Sequence, residues 1–187
     1  MGEAGKFFIM SVVGVALAYV YICSLGGFKT VAASQPSPSQ GGDSVVGSVS
    51  ISASKIDSIL SAAGSPARGL GNVFTLDSAE YNIDDAVALA FFHHESTYGL
   101  YGVASQTHSL GNIKCSDGYI CIDGFRAYPS WQAGIDDWYR LMASPAYVGG
   151  GLTTLNQIIP KYAPSSDGNS ESNYIAAVRS DVQSWRS

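Results

Sequence analysis

The chain has 187 residues, 46% of them hydrophobic and 13% charged, with a net charge of −5. That suits one folded domain of ordinary size plus an appendage, and it is too apolar for a mainly disordered chain. Residues 1–33 hold only Glu3, Lys6 and Lys29 as charges, so the acidic excess lies beyond them; with no clustered Lys and Arg to meet phosphates, no nucleic acid partner is expected.

Phe7 to Phe28 is a run of 22 residues without a charge. As a helix it would span about 30 Å, the thickness of a bilayer core. Two readings stay open for residues 1–33. One is an uncleaved anchor that contacts the membrane through residues 7–28. The other is a signal peptide, with Lys6 as its basic flank and Val31-Ala32-Ala33 as its cleavage site. Residues 34–54 are rich in Ser, Gly and Pro and read as a flexible linker. The folded domain is then 55–187.

Within it the pattern is mainly α. Ile56, Ile59 and Leu60 open a short helix that stops before Gly64-Ser65-Pro66. A second helical segment covers about 69–81. Asp84 reads as an N-cap, with Asp85 favourably placed in the first turn. The helix it starts is apolar on every side from Ala86 to Phe92 and belongs in the core. It continues through His93-His94-Glu95 and closes near Gly99.

A short β-like stretch at 112–125 follows, in which Asp117-Gly118 is a strong hairpin turn signal. Cys115 and Cys121 flank it at a spacing that fits neither zinc nor redox motifs. The preferred reading is a disulfide across the hairpin, which implies an oxidising compartment and an outward-facing domain. The alternative is two reduced thiols on adjacent strands. Ser130 caps a helix with Trp131, Ile135, Trp138 and Met142 at helical spacing. A short helix over Leu152–Ile159 stops at Pro160, and a last helix starts near Ser170. The expected class is α+β: a helical domain with one small β hairpin, preceded by a transmembrane helix or signal peptide.

Glu95 is the residue best placed for chemistry. It is one of four glutamates, and it ends a helix too apolar to be exposed. Burial and the negative helix end both disfavour its carboxylate, and a carboxylic acid kept protonated near neutral pH can protonate a glycosidic leaving oxygen. Tyr98, Tyr101, Tyr119, Tyr128, Trp131 and Tyr162 fall at loops and element ends, where rings can stack on sugars. His94-Glu95 begins an HExxH pattern, but position 98 is Tyr, so no metal or cofactor is expected and His93 reads as a packed histidine. There is no G-x-S-x-G elbow for a serine nucleophile. Cys115 precedes a turn rather than a helix, which disfavours a cysteine peptidase.

Residues 83–114 resemble the core of the glucosaminidase family of the lysozyme-like superfamily. The likeness rests on Glu95-Ser96-Thr97-Tyr98-Gly99 at the end of a buried helix, followed by Gly111-Asn112-Ile113-Lys114. It extends through Phe125-Arg126-Ala127-Tyr128 leading into a helix, and through Tyr162-Ala163-Pro164 to Tyr174. The resemblance implies a lysozyme-like fold and cleavage of β-1,4 bonds at N-acetylglucosamine in peptidoglycan, with Glu95 as the acid. Here the asparagine follows the glycine instead of preceding it, which weakens the role of Asn112. The family's second carboxylate, when present, lies on the β lobe, where Asp117 and Asp123 stand. Asp123 is the better placed, because Asp117 belongs to the expected turn. Substrate contacts are expected from Tyr98, Asn112, Tyr128, Trp131 and Tyr162. The implied setting is a cell envelope, or a phage particle that must breach one. Two alternatives stay open: a lytic transglycosylase acting on the same glycan, and a wall-binding module without turnover.

Overall fold

The computed structural model of the chain describes residues 43–187. The anchor or signal reading of 1–33, the membrane contact at 7–28 and the linker residues 34–42 lie outside them. Among the described residues there are seven α-helices and one two-stranded antiparallel sheet, and no helix is long and apolar enough to cross a membrane. The mainly helical architecture with one small hairpin agrees with the sequence pattern.

The helices are α1 (Ala53–Ala62), α2 (Gly71–Tyr81), α3 (Asp85–Ser96) and α4 (Ala104–Thr107) before the sheet. Strands β1 (Ile120–Ile122) and β2 (Phe125–Ala127) follow, then α5 (Trp131–Ala143), α6 (Leu155–Tyr162) and α7 (Glu171–Arg186). Helix α3 is the axis of the domain. Every residue from Ala86 to Phe92 is fully buried, as an all-round apolar helix requires. The Asp84 carboxylate accepts from the N–H groups of Ala86 and Val87 and closes its N-terminus. Helix α7 packs along it, α2 packs on α5, and α1 packs on α2. Phe91, Phe92 and Trp138 form an aromatic cluster behind the C-terminal half of α3, with ring centroids 5.1–5.3 Å apart from Trp138.

Three local expectations are corrected. Residues 43–54 are not a free linker. Val45 is fully buried and Ile51 nearly so; Val45 N–H donates to Thr153 O at 2.9 Å, and Asp84 N–H donates to Val45 O at 3.0 Å. Ser50 donates through N–H and hydroxyl to Asp85 Oδ1, each at 2.9 Å, and Ser52 caps α1. Serine-rich composition signals flexibility only when its polar groups meet water, and here the fold uses them. Helix α6 also runs through Pro160 instead of stopping before it. Its start is fixed by a Thr154/Gln157 capping box, and proline in the last turn forfeits only one hydrogen bond.

The hairpin turn lies at Asp123-Gly124, not Asp117-Gly118. Ile122 pairs with Phe125 across a two-residue turn in which Asp123 and Gly124 have φ of 48° and 82°. Positive φ at both positions is what a type I′ turn demands, and Asp117 does not adopt it. Asp117-Gly118 instead forms a separate turn closed by Tyr119 N–H on Ser116 O. Cys115 and Cys121 stand at disulfide distance, with Cα atoms 5.8 Å apart, and enclose that turn. The backbone of 113–115 runs beside β2, so the cysteines join a flanking segment to β1 and do not bridge the hairpin's own two strands.

Candidate active site

Helix α3 ends at the floor of an open cleft of about 380 Å³. Glu95 and Asn112 form that floor; Phe125 and Arg126 come from β2, and Tyr147, Tyr162, Asp167 and Asn169 come from the C-terminal part of the chain.

The Glu95-Ser96-x-x-Gly99 motif is a device for ending the helix there. The Ser96 hydroxyl donates to Leu110 O at 2.7 Å and accepts from Gly99 N–H at 2.8 Å. Thr97, Tyr98 and Gly99 are all left-handed, with φ of 48°, 56° and 87°. Gly99 also lies against Trp131, so a Cβ would meet the indole at 2.7 Å; both conformation and space select glycine. The chain thus turns away two residues after the carboxyl group. Gly111 is constrained by space alone, since a Cβ there would meet Trp138 at 2.4 Å. The following Asn112, at φ 46°, donates its amide to the Glu95 carbonyl at 2.7 Å. The reversed order of glycine and asparagine therefore still delivers Asn112 to Glu95.

The Glu95 side chain is half-buried, and Tyr174 on α7 donates its hydroxyl to Oε1 at 2.6 Å. Burial pushes the Glu95 pKa up to about 7; hydrogen bonds from Tyr174 and Asn112 and the nearby His94 pull the other way without offsetting it. The group is thus poised to exchange a proton near neutral pH. Because the Tyr174 hydroxyl favours the ionised form, Tyr174→Phe should raise the Glu95 pKa further. A carboxyl-carbon NMR titration would read this as an upward shift of the Glu95 midpoint; an unchanged or lower midpoint would contradict the assigned hydrogen bond.

The other sequence-named residues divide sharply. Asn112 and Tyr162 line the cleft. Tyr162 is held in place, accepting from Trp138 Nε1 at 3.1 Å and donating to Gly111 O. Tyr98 does not reach the cleft: it is 4% exposed and stacked on His93, 4.8 Å between ring centroids. Trp131 supports Gly99 and packs edge-on against His108. Tyr128 and Tyr119 both donate to Asp137, and Tyr101 is exposed away from the cleft lining. Asp123 is exposed in the hairpin turn and is not brought to the cleft. The lining carboxylate other than Glu95 is Asp167, tied to Lys114 in an ion pair.

Sequence reasoning missed Asp137, Tyr147 and the site role of Tyr174. Asp137 lies on α5 with its side chain 5% exposed, and receives Arg126 at 2.8 Å, Tyr128 at 2.7 Å and Tyr119 at 2.9 Å. Through it the hairpin wall of the cleft is fastened to the helical body. The Phe-Arg-x-Tyr segment held the available signal, because its Arg126 and Tyr128 face one carboxylate. No protein-family model matches the chain, and no curated protein matches it.

Proposed function

We propose that the domain is a lysozyme-like glycoside hydrolase that cleaves β-1,4 bonds at N-acetylglucosamine in peptidoglycan. The observation that carries the reading is Glu95: a half-buried carboxyl group at the floor of an open cleft, held by Tyr174, with its pKa pushed up to about 7. Such a group supplies the proton that a departing glycosidic oxygen needs.

A glycosidase also needs a second function opposite the acid. Asp167 is engaged by Lys114, and Asp123 lies in a turn, so neither is the partner of choice. The second role falls to a positioned water or to the acetamido oxygen of the substrate itself. Asn112 Oδ1 is buried without a hydrogen-bond partner among the described residues and suits the N–H of an acetamido group. Tyr162 and Tyr147 add aromatic surface to the cleft lining.

The single acid also favours a second reading, a lytic transglycosylase, which closes the ring on the substrate's own hydroxyl. Mass spectrometry of digested peptidoglycan separates the readings. The hydrolase should leave reducing N-acetylglucosamine ends; anhydro-muramic ends would select the transglycosylase. No new ends at all would leave a wall-binding module. In the proposed setting the domain faces outward in a cell envelope or belongs to a virion.

A further inference from the structure

The last turn of α3 carries two adjacent histidines just before Glu95, and α7 brings one aspartate to both. His93 Nδ1 lies 2.6 Å and His94 Nε2 lies 2.9 Å from Asp181 Oδ2. Neighbouring helical side chains diverge by about 100°, so convergence is unusual; it works because one imidazole uses its near nitrogen and the other its far one. The three ligand atoms lie within 4.8 Å of one another.

We propose that His93, His94 and Asp181 form a binding site for a divalent transition-metal cation of the zinc class. Two imidazole nitrogens and one carboxylate oxygen are a borderline donor set that suits such ions better than calcium or magnesium. Metal–nitrogen bonds of about 2.0–2.1 Å place tetrahedral ligands about 3.3 Å apart, so a small rotation of the imidazoles and the carboxylate accommodates the ion. Each imidazole binds in its neutral form, with the proton on the ring nitrogen facing away from the metal.

The rings are already oriented. His93 stacks flat on Tyr98 at an interplanar angle of 4°, and His94 packs edge-on against Tyr174 at 5.9 Å. Preorganised ligands lose little freedom on binding. The side chains of His93, His94 and Asp181 are 37%, 26% and 20% exposed, so a hydrated ion can enter and keep water in its remaining positions. The ion would cross-link α3 to α7, and α7 is the helix that holds Tyr174 on Glu95. Binding therefore stiffens the pairing that frames the carboxyl group. This inference stands apart from the glycosidase reading, because it concerns only the donor set.

The test uses full-length protein freed of metal by a chelator and then titrated with zinc chloride at neutral pH. Calorimetry should show one equivalent bound per chain, and the unfolding midpoint should rise by roughly 5–10 °C at zinc about a hundredfold above Kd. Asp181→Asn and the double variant His93→Gln/His94→Gln should both lose the equivalent and the rise. No binding up to about 1 mM zinc, or an unchanged equivalent in the double variant, would overturn the site. A measurement on the unaltered protein decides the matter even if the variants fail to fold. Zinc should protect His93 and His94, but not His108, from diethyl pyrocarbonate, read by mass spectrometry of peptides. Full modification of both in the presence of zinc would equally overturn it.

Discussion

Glu95→Gln should lower glycan cleavage by at least about 10²–10⁴-fold while leaving the domain folded, because glutamine keeps the shape but cannot give up a proton to a leaving oxygen. The pH dependence carries the same signature. On the proposed reading the acid acts in its protonated form, so activity of metal-free protein should fall as pH rises through about 7, and the fall should move with the Glu95 pKa. Stability follows the same sign. A carboxyl group whose pKa is raised from 4.5 to about 7 contributes fully below 4.5 and loses that contribution by about pH 7. The difference between the unaltered protein and Glu95→Gln across that window should be on the order of 3 kcal/mol. Asp77 is also raised to about 7, by burial and by neighbouring Asp136 and Glu80, but it is common to both proteins and cancels from the comparison. Near-normal turnover in Glu95→Gln would remove the catalytic assignment.

Asp137→Asn should be the most destabilising substitution near the cleft. The carboxylate is 5% exposed and Arg126 12%, and breaking such a pair by removing one partner typically costs about 3–5 kcal/mol. The loss comes from leaving the guanidinium buried without a counter-charge. Asparagine keeps one acceptor oxygen, so of the two donor pairs, Tyr119 with Arg140 on Oδ1 and Arg126 with Tyr128 on Oδ2, one loses its acceptor and faces an NH2 group instead. The unfolding midpoint should fall by roughly 6–15 °C, and the wall formed by Phe125 and Arg126 should loosen, raising the substrate KM more than it lowers kcat. Denaturant titration showing a loss under about 1 kcal/mol would mean that Arg126 finds another partner.

Much of the site was legible in the chain because its determinants are local. The N-cap at Asp84, the all-apolar run behind it and the Glu-Ser-x-x-Gly ending are contiguous, so the burial of α3 and the position of Glu95 at its end follow from sequence periodicity and capping. The upward shift of the Glu95 pKa was expected for the same reason: a polar group ending a buried helix is itself desolvated. Composition misled at 43–54, where Ser50, read as linker, is hydrogen-bonded to both Asp84 and Asp85. It also misled at the turn, since two Asp-Gly pairs compete and only strand register selects the second.

The sequence by itself determined a mainly helical domain with Glu95 at the end of its central helix, because caps, turns and apolar periodicity act between residues a few positions apart. Only the tertiary structure decided what meets that carboxyl group and its neighbours. Tyr174 reaches Glu95 across 79 residues, and Asp181 reaches His93 across 88. Both contacts depend on how α7 lies along α3, and that placement is accompanied by burial of Val178 and Val182 in the core that also holds α3. Apolar packing is non-directional, so the sequence shows which face is buried but not which polar side chains the packing will bring together.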